Sequence, residues 1–294
     1  MAKAVYVDTS PTASRTATDD KRKKRKPHYV FDGERIFEVY KLTKLKDVDE
    51  VFIDVLFPEI YEEVLELLKR GVKVYLLKDT RMLKKLRMEN NMKKSDEVDA
   101  QLLSMISKDG FRLLTVEELE FKAKMRPLIN RYEQVVRWRK TLKQWLSQGF
   151  DYNFKESIRL MWNDSKRISK EIIRELADNN IYKEACRLLG LKDSVELAIL
   201  TVELPLHLPI TRLKGLLGFT PNKNKGRYAH KLRKHIIDLA ANLYLNAKKS
   251  VYVLDTVAEM VDRLPRERAL YKIQLMILKS LRKAYLLTTN PTGR

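Results

Sequence analysis

Between residues 51 and 77 the chain carries a strand, a helix and a second strand joined with almost no slack. Val51-Phe52-Ile53 is a short apolar run ending at Asp54, and Pro58 then opens a helix. Its apolar residues Ile60, Val64, Leu67 and Leu68 fall at helical spacing, and Gly71 stops it. Val72-Lys73-Val74-Tyr75-Leu76-Leu77 follows at once. Two strands bridged by a single helix lie parallel, and such crossovers are right-handed. Upstream, Ala4-Val5-Tyr6-Val7 reads as a strand ending at Asp8. His28-Tyr29-Val30-Phe31 and Ile36-Phe37-Glu38-Val39-Tyr40 flank Asp32-Gly33, a hairpin signal. The first part of the chain, 1–112, is therefore expected to be an α/β domain.

The pattern then changes. Leu128, Tyr132, Val135, Leu142 and Leu146 recur in steps of four and three, with Arg139 interrupting the seam. Ile158, Met161, Ile168, Ile172 and Leu176 do the same, with Ser165 at one core position. A turn at 148–153 separates them, so 113–180 predicts an antiparallel coiled-coil hairpin. Trp138, Trp145 and Trp162 are expected to serve its helix-helix packing. The remainder, 181–294, reads as an all-α domain. In it Tyr228, Leu232, Ile236, Leu239, Leu243 and Ala247 form one apolar face, and Lys231, Lys234 and His235 share another. A last long helix is expected over about 266–287.

Charge narrows the function. Fifty-nine Lys and Arg against 39 Asp and Glu give a formal net charge of +20, a self-repulsion best tolerated beside a polyanion. The excess is also blocked. Lys21, Arg22, Lys23, Lys24, Arg25 and Lys26 are consecutive, in the connection between the first two strands. From 122 to 143 there are eight basic residues, among them Arg126, Arg137, Arg139, Lys140 and Lys143, with Glu133 the single acid. Lys223, Lys225, Arg227, Lys231, Arg233 and Lys234 fall in a stretch with no acid. A thermophile's lysine-rich surface mixes signs into networks, whereas these blocks are single-signed and point to nucleic acid. No apolar run approaches the length of a membrane span and the first residues lack a signal-peptide core, so a soluble, cytoplasmic protein without a membrane partner is expected. The lone Cys186 excludes an internal disulfide.

Four carboxylates stand out by position. Asp8 and Asp54 each end an expected strand. Asp96 and Asp99 lie at i and i+3 of a helix that Ser95 would cap, on one face. If the strands are neighbours and this helix crosses their ends, the four converge, and convergence of like charges calls for cations. Two Mg²⁺ or Mn²⁺ ions roughly 4 Å apart would suit an in-line phosphodiester displacement. The bland alternative is a helix cap with acids in the first turn, favoured by the helix dipole, and ordinary strand-end residues.

Lys94-Ser95-Asp96-Glu97-Val98-Asp99-Ala100 resembles the K-x-D-x-x-D-A signature of the DEDD transposases of insertion sequences, the bridge-RNA-guided recombinases. Tyr6-Val7-Asp8-Thr9-Ser10 resembles their first-strand aspartate box, and Val51-Phe52-Ile53-Asp54 with the following helix their second-carboxylate segment. The stretch from Arg137 to Lys143 is similar to the basic part of their coiled coil. Leu217-Gly218-Phe219-Thr220-Pro221, followed by Leu232-Arg233 and Ala240-Ala241, is similar to their C-terminal transposase domain. A three-strand meander followed by parallel strands is also the ribonuclease H order, one of several mixed sheets the periodicity admits. The resemblance implies a RuvC-like, ribonuclease-H-like catalytic domain, a coiled-coil arm for a homodimer or homotetramer, and a helical domain. It implies DNA as substrate, a structured guide RNA, strand exchange through a Holliday-junction-like intermediate, and Asp8, Asp54, Asp96 and Asp99 as the Mg²⁺-holding catalytic set.

Two departures qualify it. The family's second carboxylate is normally Glu, and Asp54 falls short of it by roughly 1.5 Å of reach. The family's serine nucleophile follows the Gly-x-x-Pro segment, yet 221–227 contains no hydroxyl side chain. Thr220 and Tyr228 flank that segment, and Tyr228 is expected to begin the apolar face of its helix. The alternatives to a recombinase are therefore a nuclease only, or a domesticated DNA- or RNA-binding protein that does not cut. His230 and His235, five apart, do not share a helical face for zinc. No glycine-rich phosphate loop precedes a helix, so nucleotide hydrolysis has no support.

Overall fold

Alternation along the strands decides the sheet. In β1 (Ala4–Asp8) Val5 and Val7 are buried on one face, and Ala4, Tyr6 and Asp8 take the other. The structure, a computed structural model, describes residues 3–13, 26–150, 152–220, 228–249, 251 and 253–289. Its sheet continues with β2 (His28–Phe31), β3 (Ile36–Val39), β4 (Glu50–Ile53), β5 (Lys73–Leu77) and β6 (Phe111–Leu113), in the order β3-β2-β1-β4-β5-β6. Strands β1, β4 and β5 are parallel, while β2, β3 and β6 run antiparallel to the strands they pair with. The hairpin forms as expected, with the Asp32 carboxylate accepting from the Glu34 and Arg35 N–H groups. Helix α1 (Tyr61–Lys69) makes the crossover, entered by a 3-10 turn at Pro58–Ile60 and left at Gly71, whose φ of +85° suits only glycine.

The two faces of this sheet are covered differently. Val5, Val7, Val30, Val51, Ile53 and Val74 pack against Val64 and Leu67 of α1. On the opposite face Tyr6, Phe52 and Tyr75 stack across β1, β4 and β5, with successive ring centroids 5.0 and 4.7 Å apart. Leu83 of α2 (Arg81–Glu89) and Leu102 and Leu103 of α3 (Asp96–Leu103) close over these rings. Neither α2 nor β6 is foreseen from the sequence. Five of the nine α2 residues are charged and only Leu83 is buried, and β6 is three residues long.

His28 of β2 is fully buried, its Nδ1 accepting the Ser10 N–H at 3.0 Å, and its Nε2 meets no partner among the described residues. Burial pushes its imidazole down to about 4. Unfolded chains therefore take up a proton that the fold refuses, so His28 stabilises above pH 6.5 and loses that contribution as pH falls toward 4. Wild type minus His28→Gln should lose on the order of 3 kcal/mol across this window in urea unfolding. A difference that does not vary with pH would remove His28 from the acid response.

Contacts divide the chain into two units, Met1–Lys124 and Met125–Arg294. Helix α4 (Val116–Ser147) begins in the first and continues into the second, with Pro127 inside it. It is followed by α5 (Phe154–Glu175), α6 (Asn180–Leu189), α7 (Val195–Glu203), α8 (Ile210–Leu216), α9 (His230–Lys248), α10 (Asp255–Arg263) and α11 (Arg266–Thr289). Ile168 and Ile172 of α5 and Leu176 just after it, the apolar run of α7, Ile236, Leu239 and Leu243 of α9, and Ile273, Ile277 and Leu281 of α11 are buried. Helices α4 and α5 lie antiparallel: Trp145 meets Phe154 near the turn, and Arg139 reaches Ser165 farther back. The two residues that interrupt the seams are thus partners. Arg139 donates to the Ser165 hydroxyl at 3.1 Å and lies over the Trp162 ring.

Two of the tryptophans meet the facing helix as expected, Trp145 on Phe154 and Trp162 under Arg139, while all three stay partly open. Trp138, Trp145 and Trp162 are about half exposed, because they sit beside the buried stripes of α4 and α5 rather than within them. Among the described residues no helix is long and apolar enough to cross a membrane.

Candidate functional site

From β1 the chain turns to β2 and β3 on one side and returns to β4 and β5 on the other. The boundary between β1 and β4 is therefore the point where strand order reverses, and ligands of such sheets bind outside the carboxyl ends of the strands there. Asp8 is the last residue of β1 and Asp54 the first after β4. The Asp54 N–H donates to the Val7 carbonyl at 3.3 Å, extending the parallel ladder and setting the two aspartates side by side. Both follow by two the stacked rings Tyr6 and Phe52, so they share the face that α3 covers.

Helix α3 starts at a cap of the kind the sequence implies. The Ser95 hydroxyl accepts from the Val98 N–H at 3.2 Å, placing Asp96 and Asp99 in the first turn. The helix packs on β1 and β2, anchored by Leu102 and Leu103. Asp54, Asp96 and Asp99 all act on Asp8 electrostatically.

That convergence is costly to ionise. Burial first, then the charges of Asp54, Asp96 and Asp99, and a hydrogen bond with Asp54, raise the Asp8 carboxyl to about 9. Asp54 is also raised, by burial, while hydrogen bonds from Thr9 and the Val55 N–H work against the shift. Thr9 holds Asp54 through its N–H, 2.9 Å from Oδ1, while its hydroxyl lies 2.9 Å from the same oxygen and 2.6 Å from the Val55 carbonyl. Asp96 is ion-paired with Lys26, and Asp99 with Arg87 of α2. As the side chains stand, no three Asp, Glu, His or Cys groups among the described residues form a ready ion cage. The donor set itself, all carboxylate oxygen, is the kind that hard divalent cations take.

Two of these participants escape a sequence reading. Arg87 lies in the unforeseen α2, four residues after buried Leu83; that spacing, which sets it on the helix's buried face, is the signal that could find it. Thr9 is legible only once Asp54 is known to be its neighbour across the sheet.

The basic residues have separate fates. Lys21, Arg22, Lys23, Lys24 and Arg25 lie outside the described residues, as do Lys223, Lys225 and Arg227. Lys26 reaches the carboxylates. Arg137, Lys140 and Lys143 are exposed on α4. Arg139 is engaged within the hairpin, and Arg233 lies on the Phe219 ring, 4.0 Å from its centroid, donating to the Leu217 carbonyl. In the second unit a cleft of about 300 Å³ is lined by residues that include Arg126, Asn130, Glu133, Glu203, His230 and Lys231. Glu133 accepts from Lys231 at 3.1 Å and pairs with His235 at 3.2 Å. The His235 contact, then Lys231, carry its carboxyl down to about 2 against the opposing effect of burial. His235 does not share an exposed face with Lys231 and Lys234: it is 2% exposed, one turn before Leu239 on the buried stripe. Tyr228 precedes α9 rather than opening it, and its ring rests against Gly218, whose φ is +69°.

No model of a known protein family matches the chain, and no curated protein matches it.

Proposed function

We propose that the chain is a divalent-metal-dependent DNA nuclease of the DEDD transposase kind, with its catalytic centre at Asp8, Asp54, Asp96 and Asp99. The observation that carries this is the meeting of the four acids at the carboxyl ends of β1 and β4, where the strand order reverses. A sheet order of β3-β2-β1-β4-β5 with β2 and β3 antiparallel is also that of ribonuclease-H-like enzymes. When bound, Mg²⁺ or Mn²⁺ on these carboxylates would polarise the scissile phosphate and supply positive charge to its displacement.

The chain's own residues prepare for this. Thr9 fixes the orientation of Asp54 through its N–H, with its hydroxyl shared between Asp54 and the Val55 carbonyl. Asp8 holds a proton up to about pH 9 and releases it as the site takes a cation, so cation affinity rises with pH. Lys26, last of the six-residue basic run, brings positive charge to the rim of the centre, where it can meet a phosphate. The exposed Arg137, Lys140 and Lys143 offer a second contact with nucleic acid, and the α4–α5 hairpin an arm for self-association. A guide RNA and strand exchange belong to the same reading. Its narrower form, cutting without serine-mediated exchange, is favoured by one observation: 221–227 offers no hydroxyl nucleophile.

The test is cleavage of a labelled four-way DNA junction by the full chain. Cutting is expected with Mg²⁺ or Mn²⁺ and not with chelator, and Asp96→Ala or Asp99→Ala should abolish it while leaving the gel-shift affinity intact. Equal cutting by wild type and Asp96→Ala would overturn the assignment. Tight binding without cutting under any metal would favour a non-catalytic nucleic-acid-binding protein.

A further inference from the structure

We propose that Arg87 is a built-in cation of the carboxylate centre, so that the centre takes one divalent ion rather than a pair. The inference rests on the metal-dependent reading above. Once Asp8 has given up its proton to an incoming cation, four carboxylates against the two side-chain cations paired with them, Lys26 and Arg87, carry a formal charge of −2, which a single divalent ion neutralises.

The two cations are not equivalent. The Lys26 side chain is 55% exposed and Asp96 24% exposed, so this pair is solvent-screened and weak, and Lys26 stays at the rim of the centre as a loose cation. Arg87 is 15% exposed and Asp99 8%, and parting them would leave a buried charge uncompensated. A guanidinium also keeps its proton at any working pH. Arg87 engages Oδ1 of Asp99 from α2, which packs along α3. A second divalent ion on Asp99 would stand beside this fixed positive charge in a partly desolvated site, where repulsion is weakly screened. Arg87 is thus a positioning residue: it orients Asp99 and sets how many ions the four acids accept.

Manganese electron paramagnetic resonance on the full-length protein, alone and bound to the four-way junction, tests this without reading activity. Wild type should bind one Mn²⁺ per chain with no spin-coupled pair signal in either state. Arg87→Gln should gain a second, coupled ion, and Arg87→Lys, which keeps the charge, should stay at one. A coupled pair in wild type overturns the inference and leaves the metal-dependent reading standing. No bound Mn²⁺ overturns both. The wild-type spectrum decides even if Arg87→Gln fails to fold.

Discussion

Asp8→Asn is expected to make the metal-free protein more stable while lowering metal-dependent cleavage by on the order of 10³-fold, the loss of a primary charge-stabilising group. Stability and activity move in opposite directions because the carboxylates are held together against their repulsion. With the Asp8 carboxyl raised to about 9 from 3.8, the folded state holds a proton that the unfolded chain releases. Stability without metal therefore falls as pH rises from about 4 through 9. At pH 8 the amide should be more stable by about 2–4 kcal/mol, less than the whole shift implies because Asp8 is partly exposed. Between pH 7 and 9 the melting temperature of wild type should decline in chelator and hold steady in Mg²⁺, and that of Asp8→Asn should hold steady in both. A wild-type melting temperature flat across this window in chelator would remove the repulsion on which the centre is argued.

Binding of the full chain to DNA should weaken by about 10³-fold between 50 and 200 mM salt if roughly six phosphates are contacted, a log–log slope near −5. The exposed Arg137, Lys140 and Lys143 should each lower that slope by about 1 when replaced by Ala. Arg139→Ala should act differently, loosening the α4–α5 hairpin through loss of its contacts with Ser165 and Trp162. Salt-insensitive binding would count against every basic cluster named above.

Much of the first unit is legible in its amino acids because its signals are local. The strand-helix-strand run at 51–77, the Asp32-Gly33 turn and the Ser95 cap are each settled within a few residues, and each forms where expected. The adjacency of Asp8 and Asp54 follows from these once β1 and β4 pair. Long-range pairing is harder to see. Arg87 on Asp99 and Lys26 on Asp96 depend on where separate segments dock, and α2 has too little apolar content to announce itself. In the second unit the buried stripes of α5, α9 and α11 are readable from their spacing. The destination of polar residues is not: His235 lies on a stripe that also reads as apolar, and its partner Glu133 is 102 positions away.

The four acids ride on two different supports. Asp8 and Asp54 belong to the sheet, whereas Asp96 and Asp99 travel with α3, seated by Leu102 and Leu103 over the Phe52 ring. The gauge of the centre is therefore set a full turn away from it, in hydrocarbon. Trimming either leucine would let the helix slide and spoil the alignment of oxygens it never touches, so the centre should be sensitive to change at residues that carry no charge as well as at the acids themselves.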